Sequence, residues 1–185
     1  MSSYNKRFIL IFSILLILLS FNITTLAKEG LITSIGQNPG GLMVKVTLKD
    51  FDVNYIYSPQ IEINELKDYQ FTILSVGCSQ KGLCSAETDF KKELKRTKEL
   101  IEVMKEKDYP IIFVHLGGKL RRDVKSNKLI EEVAPHASDI VITKDSNEDG
   151  YFTNLSNEKG IPLYVIDNLS HLEDVFVEIF SKNKE

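Results

Sequence analysis

Neither glycine signature of nucleotide-binding loops occurs in this chain: there is no G-x-G-x-x-G and no G-x-x-x-x-G-K-[ST]. A nicotinamide or nucleoside triphosphate cofactor is therefore disfavoured. Basic residues are not in excess, with 23 Lys and Arg against 26 Asp and Glu and a net charge of −3. No segment carries a basic stripe, which argues against nucleic acid as a partner. Histidine is scarce: His136 follows Pro135, His171 falls in the first turn of an expected helix, and scattered histidines do not make a metal site. Internal repeats and low-complexity segments are absent beyond the first 27 residues.

The one long apolar run stands at the start. Lys6 and Arg7 precede an almost unbroken apolar stretch over 8–21, and Thr25-Leu26-Ala27 supplies a small-residue cleavage site. This is the pattern of an export signal; the alternative is an uncleaved anchor. On the first reading, 1–27 is a signal peptide and 28–185 a single domain, long enough for one core and too short for two. The protein is then secreted, periplasmic or held in a cell envelope, and it meets a membrane only through the signal before cleavage. Cysteine is limited to Cys78 and Cys84. In an exported chain an even count reads as a disulfide, here closing the loop after a strand, and two small thiols are the alternative.

What the chain does have is alternation. Apolar strand-like runs at 31–35, 53–57, 71–76, 111–116, 139–143 and 163–166 are separated by helical patterns. Asn38 reads as a helix N-cap with Pro39 at the first helical position, and the helix runs to about Asp50. The longest helical pattern covers 85–107, with Phe90, Leu94, Ile101 and Met104 on one face. Shorter helices are expected at 126–134 and 151–159, the latter stopped by Gly160 and Pro162. The final helix opens with Ser170 and Glu173 in capping-box spacing and buries Leu172, Val175, Phe176 and Ile179. Short, nearly all-apolar strands alternating with helices predict a three-layer α/β domain, a mostly parallel sheet of about six strands with helices on both faces. Flavodoxin-like and Rossmann-like windings both remain open.

Parallel connectivity sends every strand's carboxyl end to one edge, so the loops at Gly36, Gly77, Leu116 and Thr143 should converge there. They carry Gln37, Asn38, Ser79, Lys81, His115, Lys119, Arg121, Arg122, Lys144 and Asp145, a cationic excess in an acidic chain. That reversal of sign, with free N–H groups at the helix start near Gly40 and with Gly82 giving the second loop backbone freedom, points to a small anionic ligand. Arg121 and Arg122 have a plainer reading as solvated loop residues. Asp145-x-Asn147-x-Asp149-Gly150-x-x-Thr153 matches the first nine positions of a calcium loop, but Ser156 replaces the bidentate Glu at the twelfth. Asp145, Asn147 and Asp149 then read better as turn-shaping and capping residues than as a weak calcium site. Cys78 or Ser79 with His115 would suit a hydrolase. Val76 and Gln80 occupy the glycine places of a nucleophile elbow, however, and no residue is identifiable to orient His115.

The stretches GLITSIGQNPGGLMVKV, VGCSQKGL, HLGGKLRR and KDSNEDGYFT, in that order, make the chain resemble a family of small exported bacterial proteins catalogued as a domain of unknown function. The resemblance implies a secreted α/β domain whose motif loops sit where a pocket should be, and it supplies no activity. In that family the place of Cys78 is usually another small residue, which leaves Ser79, Lys81 and Gly82 as the matching group. The expectation is an exported protein that binds a small anion at the sheet's carboxyl edge. Lys81, His115, Arg121 and Lys144 would supply charge and hydrogen bonds, and Gln37, Asn38 and Ser79 orientation. A hydrolase and an envelope adaptor are the alternatives.

Overall fold

The computed structural model describes residues 29–182, and the export signal read at 1–27 lies outside them. Six strands form one sheet: β1 Gly30–Ile35, β2 Tyr55–Tyr57, β3 Phe71–Val76, β4 Ile111–His115, β5 Asp139–Thr143 and β6 Leu163–Ile166. Their order across the sheet is β2-β1-β3-β4-β5-β6 and every pairing is parallel. The first five follow the flavodoxin-like order, which resolves the two windings the sequence left open. Among the described residues no helix is long and apolar enough to cross a membrane.

Residues on successive positions of each strand alternate between two cores. Leu74, Phe113 and Ile142 face one, against Leu100, Met104, Leu129 and Phe152. Ile73, Val114 and Val141 face the other, against Val44, Leu48, Leu172 and Phe176. Helices α1 Gly40–Thr47 and α6 Leu172–Lys182 thus cover one face. The opposite face takes α2 Gln80–Ser85, α3 Phe90–Glu106, α4 Val124–Val133 and α5 Tyr151–Lys159. The chain leaves β1 toward one edge of the sheet and leaves β3 toward the other, so the connections part between β1 and β3. A crevice opens there, at the carboxyl ends.

Local chemistry sets the boundaries. Asp89 and Asp123 cap α3 and α4 by accepting the N–H of Lys92 (2.9 Å) and Ser126 (2.8 Å). The expected helix over 85–107 is in fact two: Glu87 takes a positive φ of 50° and breaks it before Asp89 restarts it. The first helix begins one residue late, with Pro39 at its capping position, although the Asn38 side chain still accepts the Gly40 N–H at 2.9 Å. At the last helix Asn168 takes the role expected of Ser170, its Oδ1 accepting the Ser170 N–H at 2.9 Å. The disulfide is a correction: Cys78 and Cys84 are both free thiols. Cys78 ends an extended segment with its side chain in the core, while Cys84 lies on the exposed side of α2 with Sγ 3.6 Å from Gln80 Nε2.

Candidate functional site

A shallow cleft of about 40 Å³, or about 310 Å³ counted with the open solvent at its mouth, lies over the carboxyl end of β3, between the start of α1, which follows β1, and the segment that ends β4. One wall is the start of α1, with Asn38, Pro39, Gly40 and Met43; the floor is Val76 and Gly77; the far wall is His115, Leu116, Gly117 and Arg121.

Asn38 fastens this edge together. Its Nδ2 donates to the carbonyls of Ile35 (3.1 Å) and Ser75 (2.7 Å), and its Oδ1 accepts from Gly40 N–H and from the Ser75 hydroxyl (2.7 Å). One side chain therefore ties the ends of β1 and β3 to the first turn of α1. The turn before it needs glycine: Gly36 has φ +85°, and a Cβ there would stand 2.4 Å from the Gly77 carbonyl oxygen.

Behind the turn lies a pair that the sequence concealed. Glu93 and Arg96 of α3 are buried against each other at 2.7 Å. Glu93 Oε1 accepts the Gly36 N–H at 2.7 Å, and Arg96 donates to the carbonyls of Ser34 (2.7 Å) and Ile61 (3.0 Å). Gln37 turns toward this pair and away from the cleft, its Nε2 3.4 Å from Glu93 Oε2. Both residues read as ordinary polar positions of a charged helix; only their i, i+3 spacing hinted at a pair.

Arg121 is the cation of the cleft. Its Nη1 donates to the Cys78 carbonyl at 2.9 Å, and no carboxylate among the described residues pairs with it. Opposite it in function is His115, fully buried. Its Nδ1 lies 2.7 Å from the Val76 carbonyl, which can only accept, so Nδ1 carries the proton in the neutral ring. Nε2 makes no well-formed hydrogen bond among the described residues, although the Gly118 backbone is near enough to act on the ring. Burial, and then the charge of Arg122, push the His115 pKa below its ordinary value, with the backbone of Val76 and Gly118 and the Asp145 carboxylate pulling the other way.

That shift has a sign. The unfolded imidazole titrates near 6.5 and the folded one lower, so between the two values the unfolded chain binds more protons and stability rises with pH. The contribution is complete above the unfolded value and is lost as pH falls toward the folded one. Denaturation at about pH 7.5 and about pH 5 is expected to show lower stability in acid, with a smaller decline in His115→Phe. Equal declines in the two proteins would overturn this assignment.

The other expected site residues are placed differently. Ser79 caps α2, its Oγ accepting the Gly82 N–H at 3.2 Å, and its own N–H donates to the Gly36 carbonyl at 2.8 Å. Gly82 is a packing residue, since a Cβ there would fall 1.8 Å from the Gln37 carbonyl oxygen. Lys81 is exposed on α2 and does not line the cleft. Arg122 is a brace: it pairs with Asp149 at 2.6 Å, donates to the Ser146 carbonyl and covers the Phe152 ring. Lys144 sits at the distant β5 end, 3.5 Å from Asp167.

The oxygens of the calcium-like loop are engaged in shaping it. Asn147 Oδ1 accepts the Phe152 N–H at 2.9 Å, Asp149 Oδ1 accepts the Tyr151 N–H at 3.1 Å, and Asp145 Oδ2 accepts the Lys119 N–H at 3.3 Å. Among the described residues no group of three or more His, Cys, Asp or Glu is arranged to hold a metal ion. For a hydrolase, burial pushes the Cys78 thiol up, away from the reactive thiolate. The Ser79 Oγ accepts the Gly82 N–H in its cap, and among the described residues no hydrogen bond joins the Cys78 or Ser79 side chain to His115.

No curated protein and no solved structure matches the chain. A family model does, over residues 27–180, and the chain accordingly belongs to the family described as a domain of unknown function (DUF6305).

Proposed function

We propose that this protein binds a small anionic molecule in the cleft over the carboxyl end of β3, and that it does so after export. The reading rests on one observation above the others: Arg121 reaches a switch-point cleft with no carboxylate partner among the described residues. Three features support it. The N-terminus of α1 forms the facing wall, and a helix start favours negative charge. His115 stands in the wall with a nitrogen, Nε2, that makes no well-formed hydrogen bond among the described residues. Cleft position at the reversal of strand order is where open α/β sheets hold ligands. Export rests on Lys6, Arg7, the apolar run over 8–21 and Thr25-Leu26-Ala27.

In this arrangement Arg121 supplies the charge and the positive end of α1 faces it across the cleft, while Asn38, whose Oδ1 takes the Gly40 N–H expected to be free, and His115 hold the walls in place. A thermal-shift screen with phosphate, sulfate and simple carboxylates should raise the melting temperature of the wild-type protein. Arg121→Ala is expected to weaken binding of the responding anion about ten- to hundredfold, the scale of one charge-assisted hydrogen bond. Lys144→Ala, distant and paired with Asp167, serves as the control with affinity retained. No response in the wild type, or equal affinity in Arg121→Ala, overturns the reading.

A further inference from the structure

We infer that the anion taken by this cleft carries an apolar chain, so that its class is the alkyl monocarboxylates; this rests on the anion reading above and adds the other half of the molecule. Helix α1 buries Gly40, Gly41 and Val44, and Leu48, just past its end, is buried on the same side. Its outward side should then be polar, yet Leu42, Met43 and Val46 are 49%, 39% and 56% exposed. At about 100° per residue these three positions fall within roughly a 100° arc, one continuous apolar stripe. Met43 also lines the cleft, so the stripe begins at the cleft's mouth, where Val76 and Leu116 continue the apolar surface inward.

A cation with no carboxylate partner among the described residues and an apolar stripe that share one opening are complementary to one kind of small molecule: a carboxylate head on Arg121, and an alkyl chain laid over Met43 toward Leu42 and Val46. Three side chains on a short helix offer much less than the roughly 800 Å² per partner of a standard protein contact. A single small ligand therefore fits this surface better than a second copy of the chain.

Titration calorimetry with acetate, butyrate, hexanoate and octanoate, and with octanol as the uncharged control, tests this. Affinity is expected to rise about three- to fourfold for each methylene that reaches the stripe. The pair Leu42→Ser and Val46→Ser should flatten the long end of the series. A flat series in the wild type, with acetate still bound, overturns the apolar chain and leaves the anion reading standing. Failure of all four carboxylates to bind overturns the inference, and the anion reading falls with it only if phosphate and sulfate fail as well; octanol binding as tightly as octanoate overturns both. A chain-length series unaffected by the serine pair, with a dimer that the pair dissociates, overturns the inference in favour of a second copy.

Discussion

Arg96→Met is expected to lower the unfolding free energy by about 3–5 kcal/mol, roughly a fifth or more of what a domain commonly has. The residue sits at 10% side-chain exposure against a Glu93 that is 2% exposed. Removing the guanidinium strands a buried carboxylate and leaves the carbonyls of Ser34 and Ile61 without their donor. The damage should be directional. Ser34 and Gly36, the backbone that Arg96 and Glu93 hold, lead straight into the turn that carries Asn38, so anion affinity should fall together with stability. Adding Glu93→Gln to Arg96→Met should recover part of the loss, because a neutral amide removes the stranded charge while its oxygen can still accept the Gly36 N–H. Chemical denaturation of the two variants measures the coupling. A single variant within about 1 kcal/mol of wild type would show that the pair is held no better than a surface contact.

The contrast between what the sequence reveals and what it hides follows from the range of the interactions. The strands at 139–143 and 163–166 and the helix at 151–159 are legible to the residue because Gly150, Gly160 and Pro162 punctuate them locally. The parallel sheet follows from alternation alone, since buried strands need helices on both faces. Asn38 is the instructive case: its position beside a helix start is legible, but its main partners, Ser75 O and Oγ, are 37 residues away. It therefore looks like a ligand-orienting group and turns out to be a clasp. Ser79 and Gly82 likewise belong to the right loop but serve its cap and its packing. The four loops do share one edge, yet Lys144 ends one strand beyond the cleft because strand order, which decides which ends are neighbours, leaves no local trace. Cys78 and Cys84 are near in sequence, but a helix start between them gives one side chain to the core and the other to solvent.

Asn38→Asp is expected to be the most damaging single-atom change at the cleft. The new oxygen replaces an Nδ2 that donates to two carbonyls, at 3.1 Å and 2.7 Å, so two attractions become two repulsions. The cost at neutral pH should be on the order of 3 kcal/mol, and more if the carboxylate cannot turn toward water. The same charge lies in the wall that faces Arg121, where it competes with any incoming anion. Loss of binding should therefore exceed that of Asn38→Ala, which removes the clasp without adding charge. The pH dependence separates charge from shape. Set against two carbonyl oxygens, the new carboxyl is raised in the folded state above the ordinary carboxylate value of about 3.9. The folded variant then binds a proton more readily than its unfolded chain, and the protonated acid can donate where the amide did. Its deficit relative to wild type should shrink as pH falls from about 8 to about 5. Asn38→Ala has no such group, so its deficit should not follow this course. If the Asp variant is as stable as wild type at pH 8, Asn38 does not hold β1 to β3, and the cleft is shaped by the glycine turns alone.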